Sequence, residues 1–371
     1  MFAHGQTVIQ MMEKLAPKHY AEEWDKVGLQ VGTLQKHVKK VLVALEVTDV
    51  VVEEAIREQA DLIITHHPLI FRPLSHLIVD YAQGRKLERL IKHDIAVYAA
   101  HTNLDIVDGG MNDWMAEALG LSDVKPLAET HTEKLYKLVV FVPLDHQERV
   151  LQAMFEAGAG WIGNYSHCSF NIEGTGTFLP QEGTDPFIGQ QGRIERVKEM
   201  RIETIVPEGV RSKVVQAMLK AHPYEEVAYD IYQVDLRGRT FGLGRVGRLS
   251  EAKPLAEFAA QVKEAFNVSA VRVVGDLDRT VQKVAVLGGS GSKYVRDALR
   301  AGADVYVSGD IDYHTAQDAL ADGISIIDPG HHAEEIMKER VAAYLQEKLN
   351  EAGYETEVLA SNTPTDPFQH L

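Results

Sequence analysis

The chain has a single cysteine, Cys168. This excludes an internal disulfide and gives no sign of an oxidising compartment. No apolar run approaches the roughly 18 residues that a membrane-spanning helix needs. Positive charge is scarce: 38 lysines and arginines stand against 54 aspartates and glutamates, a formal charge of −16. A general phosphate-backbone binder needs a basic face, so this balance argues against direct DNA contact. The first segment, MFAHGQTVIQMMEKLAP, has the pattern of a short amphipathic helix without the basic flank or cleavage site of a signal peptide. The expectation is a soluble, cytoplasmic protein with no membrane partner.

What is present is an ordinary globular composition, 45% hydrophobic and 25% charged over 371 residues, too long for one modest core. From residue 39 onward, short β-rich runs alternate with helical periods: KKVLVALEVT, ADLIITHH and IAVYAAHT read as strands, with DVVVEEAIREQ and GRKLERLIKHD as helices between them. The same alternation resumes near the end with QKVAVLGG, ADVYVSGD and ISIIDPG as strands and a long helix from AEEIMKER onward. Alternation of this kind predicts parallel α/β units. Between roughly 127 and 243 the style changes to two strand–helix units separated by a glycine-rich stretch at 174–192. The expected fold class is therefore α/β: a split three-layer domain, 1–126 and 243–371, carrying an inserted ferredoxin-like α+β domain at 127–242.

The chemistry concentrates at predicted strand ends. DLIITHHP closes an apolar run with His66 and His67, HTNLD supplies His101 and Asp105, and DPGHHAEE supplies His331, His332 and Glu335. Open α/β sheets bind ligands outside the carboxyl ends of their strands. Adjacent residues of an extended chain point to opposite sides, and Pro68 keeps residue 67 out of the α region, so His66 and His67 suit two neighbouring ions better than one. His331 and Glu335, four apart where a helix is expected to begin, would share a face, with Asp105 bridging. Imidazole and carboxylate without thiolate suit zinc, iron or manganese. Two such ions about 3.5–4 Å apart could activate water for hydrolysis. The bland reading is a set of polar residues at a sheet rim. His101 reads as a partner orienting Asp105, and His332 as structural.

Three further motifs stay open. LGGSGSK could cradle an anion on backbone N–H groups, or be a tight strand-to-helix turn. In SGDIDYHTAQDA, Asp310 and His314 could assist proton transfer, or Asp310 or Asp312 could simply cap a helix. EEWDKVGLQVG, with Asp25, could close over the crevice or be an ordinary turn.

In this order, ITHHPLIF, HTNLD, the GGSGS turn, SGDIDYH and GHHAEE resemble the Nif-three-like proteins, a family also labelled GTP cyclohydrolase I type 2. The resemblance covers about 1–125 and 243–371, and the insert is similar to the PII and CutA-like module of longer bacterial members. It implies a dinuclear divalent-metal centre built from His66, His67, Asp105, His331 and Glu335, inside a toroidal homohexamer. Members often carry aspartate where this chain has Glu46, which is given no role. The resemblance suggests a metal-dependent hydrolase acting on a purine nucleotide or phosphoester, with His314 or Asp310 assisting. The other reading is a non-catalytic metal-handling or regulatory protein whose insert senses a small-molecule or nucleotide ligand.

Overall fold

A computed structural model describes residues 1–370 as two compact units, one built from residues 1–131 and 241–370 and the other from 132–240. Among the described residues, no helix is long and apolar enough to cross a membrane.

The first unit is a mixed α/β body with two sheets. The five-stranded sheet runs in the order Glu357–Ala360, Lys40–Ala44, Leu62–Thr65, Ala96–Ala99, Gly28–Val31, parallel except for the last strand. The six-stranded sheet has Thr280–Ser290, Val305–Gly309 and Ser325–Asp328 as parallel neighbours, with antiparallel strands outside them. Strands covered on both faces are buried at every position, as LIIT and SIID are here.

The period of two assigns each side chain to a layer. Val41, Val43, Leu62, Ile64 and Tyr98 face one side of the first sheet; Val284, Val286, Val305, Val307 and Ile327 face one side of the second. Both sets join one core filled by the helices Gly5–Leu15, Met111–Ala118, Leu255–Ala265 and Met337–Glu351. The opposite faces are covered separately. Asp49–Arg57 and Ala82–Lys92 pack against Leu42, Ile63 and Val97; Val295–Arg300 and Tyr313–Asp322 pack against Ala285, Tyr306 and Ile326. Each sheet is thus the middle of three layers, and the two share their central helical layer. Full burial of one such Val, Leu or Ile contributes about 1.5–3 kcal/mol, so this shared layer dominates the unit's stability.

The second unit runs strand, helix, strand, strand, helix, strand. Its sheet order is Tyr229–Val234, Leu135–Pro143, Glu195–Pro207, Ser169–Phe178, antiparallel throughout. Leu138, Val140, Val142 and Ile202 face one side, where Val150 and Met154 of the first helix and Val214 and Met218 of the second cover them. Among the described residues, both helices of this unit lie on that one side of its sheet.

Candidate metal centre

The Leu62–Thr65 strand delivers two histidines side by side. The N–H groups of both His66 and His67 donate to the Leu45 carbonyl (3.2 and 2.9 Å), which turns the chain sharply at the strand end. His66 continues the inward alternation of Leu62 and Ile64 and is fully buried. Its Nδ1 donates to the Ala100 carbonyl at 3.0 Å, which turns Nε2 toward Asp105 and Glu334. His67 donates from Nδ1 to Glu46 Oε2 at 2.9 Å and meets Glu334 Oε2 with Nε2 at 3.1 Å. Glu46 therefore acts on this histidine, a role the sequence did not assign to it.

The next strand, Ala96–Ala99, ends in His101 and the short helix Thr102–Ile106. His101 does not orient Asp105. Its Nδ1 donates instead to Asp25 Oδ1 at 2.9 Å, and Asp25 Oδ2 accepts from the Thr102 backbone N–H and hydroxyl. Burial works against the Asp25 charge, but its bonds to His101 and Thr102 outweigh it and hold the carboxyl down at about 2. Asp25 thus ties its loop to His101. Asp105 sits one helical turn after His101, and its main-chain carbonyl accepts from the Asn112 amide at 2.9 Å.

The GHHAEE segment departs from expectation. His331–Ile336 is a 3-10 helix, not the start of an α-helix. With three residues per turn, i and i+3 align, so Glu334 rather than Glu335 shares the face of His331. His331 Nε2 lies 3.3 Å from Glu334 Oε2. Glu335 points elsewhere and pairs with Lys338 and with His332 Nδ1. His332 also meets Thr365 through Nε2, outside the cluster.

Room for Glu334 comes from the glycine-rich turn. A Cβ on Gly288 or Gly289 would lie 2.8 Å from Glu334 Oε1, and Gly289 has a φ of +65°. Asn112 Oδ1 accepts from the Gly288 N–H at 2.9 Å and pins the turn beside Asp105. Close approach of a carboxylate thus accounts for both glycines. Asp310, read from the sequence as either a proton-transfer candidate or a helix cap, meets a histidine ring. Its Oδ2 accepts from His331 Nδ1 at 2.7 Å from a left-handed backbone with φ +54°. The helix cap belongs to Asp312, which accepts from the Thr315 N–H at 3.0 Å. His314 stands exposed on the Tyr313–Asp322 helix with its ring against Tyr313, and is not drawn into the cluster.

Two groups emerge whose donor atoms lie within 4.8 Å of one another: His66, His101 and Asp105, and His66, His67 and Glu334. The His67 and His331 rings lie 5.1 Å apart, which extends the second group. Burial disfavours charge on His67, yet Glu334 and Glu46 outweigh it and lift the imidazole to about 10. Glu334 raises His331 to about 9 against the cost of burial. The same Glu334 is itself desolvated, but the surrounding histidines hold it well below the usual carboxylate range. Burial first, then the Glu334 charge, pushes Asp105 up to about 8.

His66 Nε2 and Asp105 Oδ1 are buried with no hydrogen-bond partner, 3.6 Å apart, and His66 Nε2 is 3.5 Å from Glu334 Oε1. An unsatisfied buried polar atom costs about 1–3 kcal/mol, so two converging on one point need a compensating partner. A divalent cation fits both, and the nitrogen–oxygen donor set without sulfur suits zinc, iron or manganese. All four histidines have Nδ1 engaged by a carbonyl or carboxylate, the arrangement that orients metal-binding imidazoles.

The family model for Duf34/NIF3 (NGG1p interacting factor 3) matches residues 3–367. A Halalkalibacterium halodurans protein named GTP cyclohydrolase 1 type 2 homolog is 58% identical over 369 residues, covering 100% of this chain and 99% of the relative. A Bacillus subtilis protein of the same name is 52% identical over 368 residues, covering 99% of each. The crystal structure of a Bacillus cereus protein related to NIF3 matches with a TM-score of 0.95 at 52% identity, covering 100% of both chains. The chain belongs to the DUF34/NIF3 family.

Proposed function

We propose that this chain is a divalent-metal-dependent hydrolase with two metal ions. One ion would be held from His66, His101 and Asp105, the other from His67, His331 and Glu334. The observation that carries this reading is the pair of buried, unpartnered donors, His66 Nε2 and Asp105 Oδ1, at the meeting point of the two groups. When bound, such ions supply Lewis acidity and make a water more acidic.

The chain's own residues do the rest. Ala100, Glu46, Asp25 and Asp310 lock the four rings, so binding a cation costs little reorganisation. A cavity of about 710 Å³ opens beside His67 and His331, large enough for a nucleotide-sized substrate. Among the described residues, Arg272 is the one lysine or arginine lining it, and Asp328 already pairs with that guanidinium. Asp310, Asp328 and Asp366 line the same cavity, which disfavours a triphosphate and favours a phosphoester of low charge. Asp310 is engaged with His331, so the reading gives no proton-transfer role to it or to the outlying His314.

The names of the relatives make GTP the first purine nucleotide to test, alongside phosphomonoesters and phosphodiesters. Turnover by the metal-loaded chain, abolished in His67→Ala and Glu334→Gln, supports a hydrolase. Full metal occupancy with no turnover across the panel would replace it by a metal-handling or regulatory role. The strand and helix order of residues 132–240 supports a ferredoxin-like insert. The proposed homohexamer is tested by light scattering on the eluting protein.

A further inference from the structure

The helix-free face of the second unit carries a cavity of about 440 Å³ that the metal chemistry does not use. Phe141, Phe178, Phe187 and Tyr224 contribute aromatic rings to its wall, and Ile188 adds an aliphatic one. The Tyr224 ring lies 6.0 Å from that of Phe178 and 6.3 Å from that of Phe187. Three carboxylates, Glu199, Glu225 and Glu226, line the same space, and no lysine, arginine or histidine does.

Glu199 is the distinctive member. It is 8% exposed and accepts a hydrogen bond from the Tyr224 hydroxyl at 2.9 Å, but among the described residues no cationic side chain pairs with it. A buried carboxylate without a counter-ion is costly unless a cation reaches it from outside. The backbone makes room for this carboxylate. A Cβ on Gly176 would lie 2.0 Å from Glu199 Oε2, so a larger residue there would displace this carboxylate. Tyr224 is fixed in turn: its N–H donates to His222 Nδ1 at 3.1 Å, while His222 Nε2 donates to the Phe141 carbonyl at 2.9 Å. Glu225 accepts from the Asp185 N–H and anchors the loop that carries Phe187. One wall ring already attracts positive charge, since the Arg201 guanidinium stands 5.9 Å over the Phe141 centroid.

Rings that attract cations through their faces, around one unpaired buried carboxylate, describe a receptor for a cation too bulky and apolar to be a metal ion. We propose that this cavity binds a small organic cation of the tertiary or quaternary ammonium class, with its charge toward Glu199 and its methyl groups among the four rings. The site is independent of the metal centre. All its lining residues fall within 132–240, and all the candidate metal ligands lie outside that range.

Calorimetric titration of the full chain with choline, tetramethylammonium and benzyltrimethylammonium tests this, with tert-butylethanol as the uncharged isostere of choline. Saturable binding of at least one ammonium is expected, with tert-butylethanol at least about tenfold weaker than choline. Glu199→Gln keeps an acceptor for Tyr224 and removes the charge, so it should weaken choline about tenfold or more and leave the isostere unchanged. Should that variant unfold, Phe187→Ala decides, because Phe187 is 53% exposed and its truncation leaves the unit folded. It should weaken ammonium binding at least about threefold with metal content unaltered. Equal binding of choline and its isostere, unchanged affinity in either folded variant, or no saturable binding of any ammonium at about 10 mM would overturn the proposal.

Discussion

His331 donates from Nδ1 to Asp310 Oδ2 at 2.7 Å, and Asp310 reaches it from a left-handed backbone conformation at φ +54°. Non-glycine residues adopt that conformation at a cost, and the cost persists where surrounding contacts fix the side chain to a task. The task here is to aim the ring at Glu334. Asp310→Asn tolerates the same backbone but loses the charge. Metal affinity should fall about 10- to 100-fold, read by competition with a chromophoric chelator. An unchanged affinity would mean that the ring is held by something else.

Neighbouring glutamates should behave oppositely. Glu334 converges on three histidines, whereas Glu335 pairs with Lys338 and His332. Glu334→Gln should lose at least half of the bound metal, while Glu335→Gln should keep it within error of the parent. Metal loss confined to Glu335→Gln would restore the α-helical register expected from the sequence.

Gly289→Ala should damage the site from a distance. The new methyl group would crowd Glu334 Oε1 at 2.8 Å and would also strain a backbone at φ +65°. A loss of about 1–3 kcal/mol in the metal-free protein is expected by denaturant unfolding, with reduced metal content. A variant of parental stability and occupancy would show that the turn serves something other than the Glu334 carboxylate.

Legibility of the site followed the local geometry of each segment. That His66, His67 and Asp105 come together at strand ends was readable because strand ends and period-two alternation are written in the local sequence. Glu334 was missed because i+4 spacing assumes an α-helix, and nothing in HHAEE announces a 3-10 turn. Asp25 and Glu46 were visible as residues, but their partners His101 and His67 are set by tertiary contacts between loops. The alternation of strands and helices located the α/β unit. It did not show that two sheets share one helical layer, because an apolar face has the same period whichever sheet it meets.

Glu54 tethers the carboxy-terminal segment, and that tether should be acid-sensitive. The carboxylate is 4% exposed and accepts from the Ser361 hydroxyl and the Asn362 N–H. Burial opposes the charge, but these bonds and one from Thr363 outweigh it and hold the carboxyl below its ordinary value. A lowered folded-state value means that the stabilisation is complete above the unfolded value of about 4.3 and disappears as pH falls through the folded one. The unfolding free energies of the parent and Glu54→Gln should differ by about 1 kcal/mol at neutral pH and converge below pH 4. A difference that stays constant down to pH 3 would remove the carboxylate from this role.

Because His66 lies where the two donor groups meet and its Nε2 has no hydrogen-bond partner, its substitution tests the proposed centre most directly. Elemental analysis of the parent and His66→Ala, each incubated with zinc, iron(II) or manganese and freed of loose ions, is the most direct measurement. The account predicts about two divalent ions per parent chain and at most one in the variant, whose His67, His331 and Glu334 remain. A parent chain that takes up none of these metals, or a folded His66→Ala that retains the full complement, would contradict it.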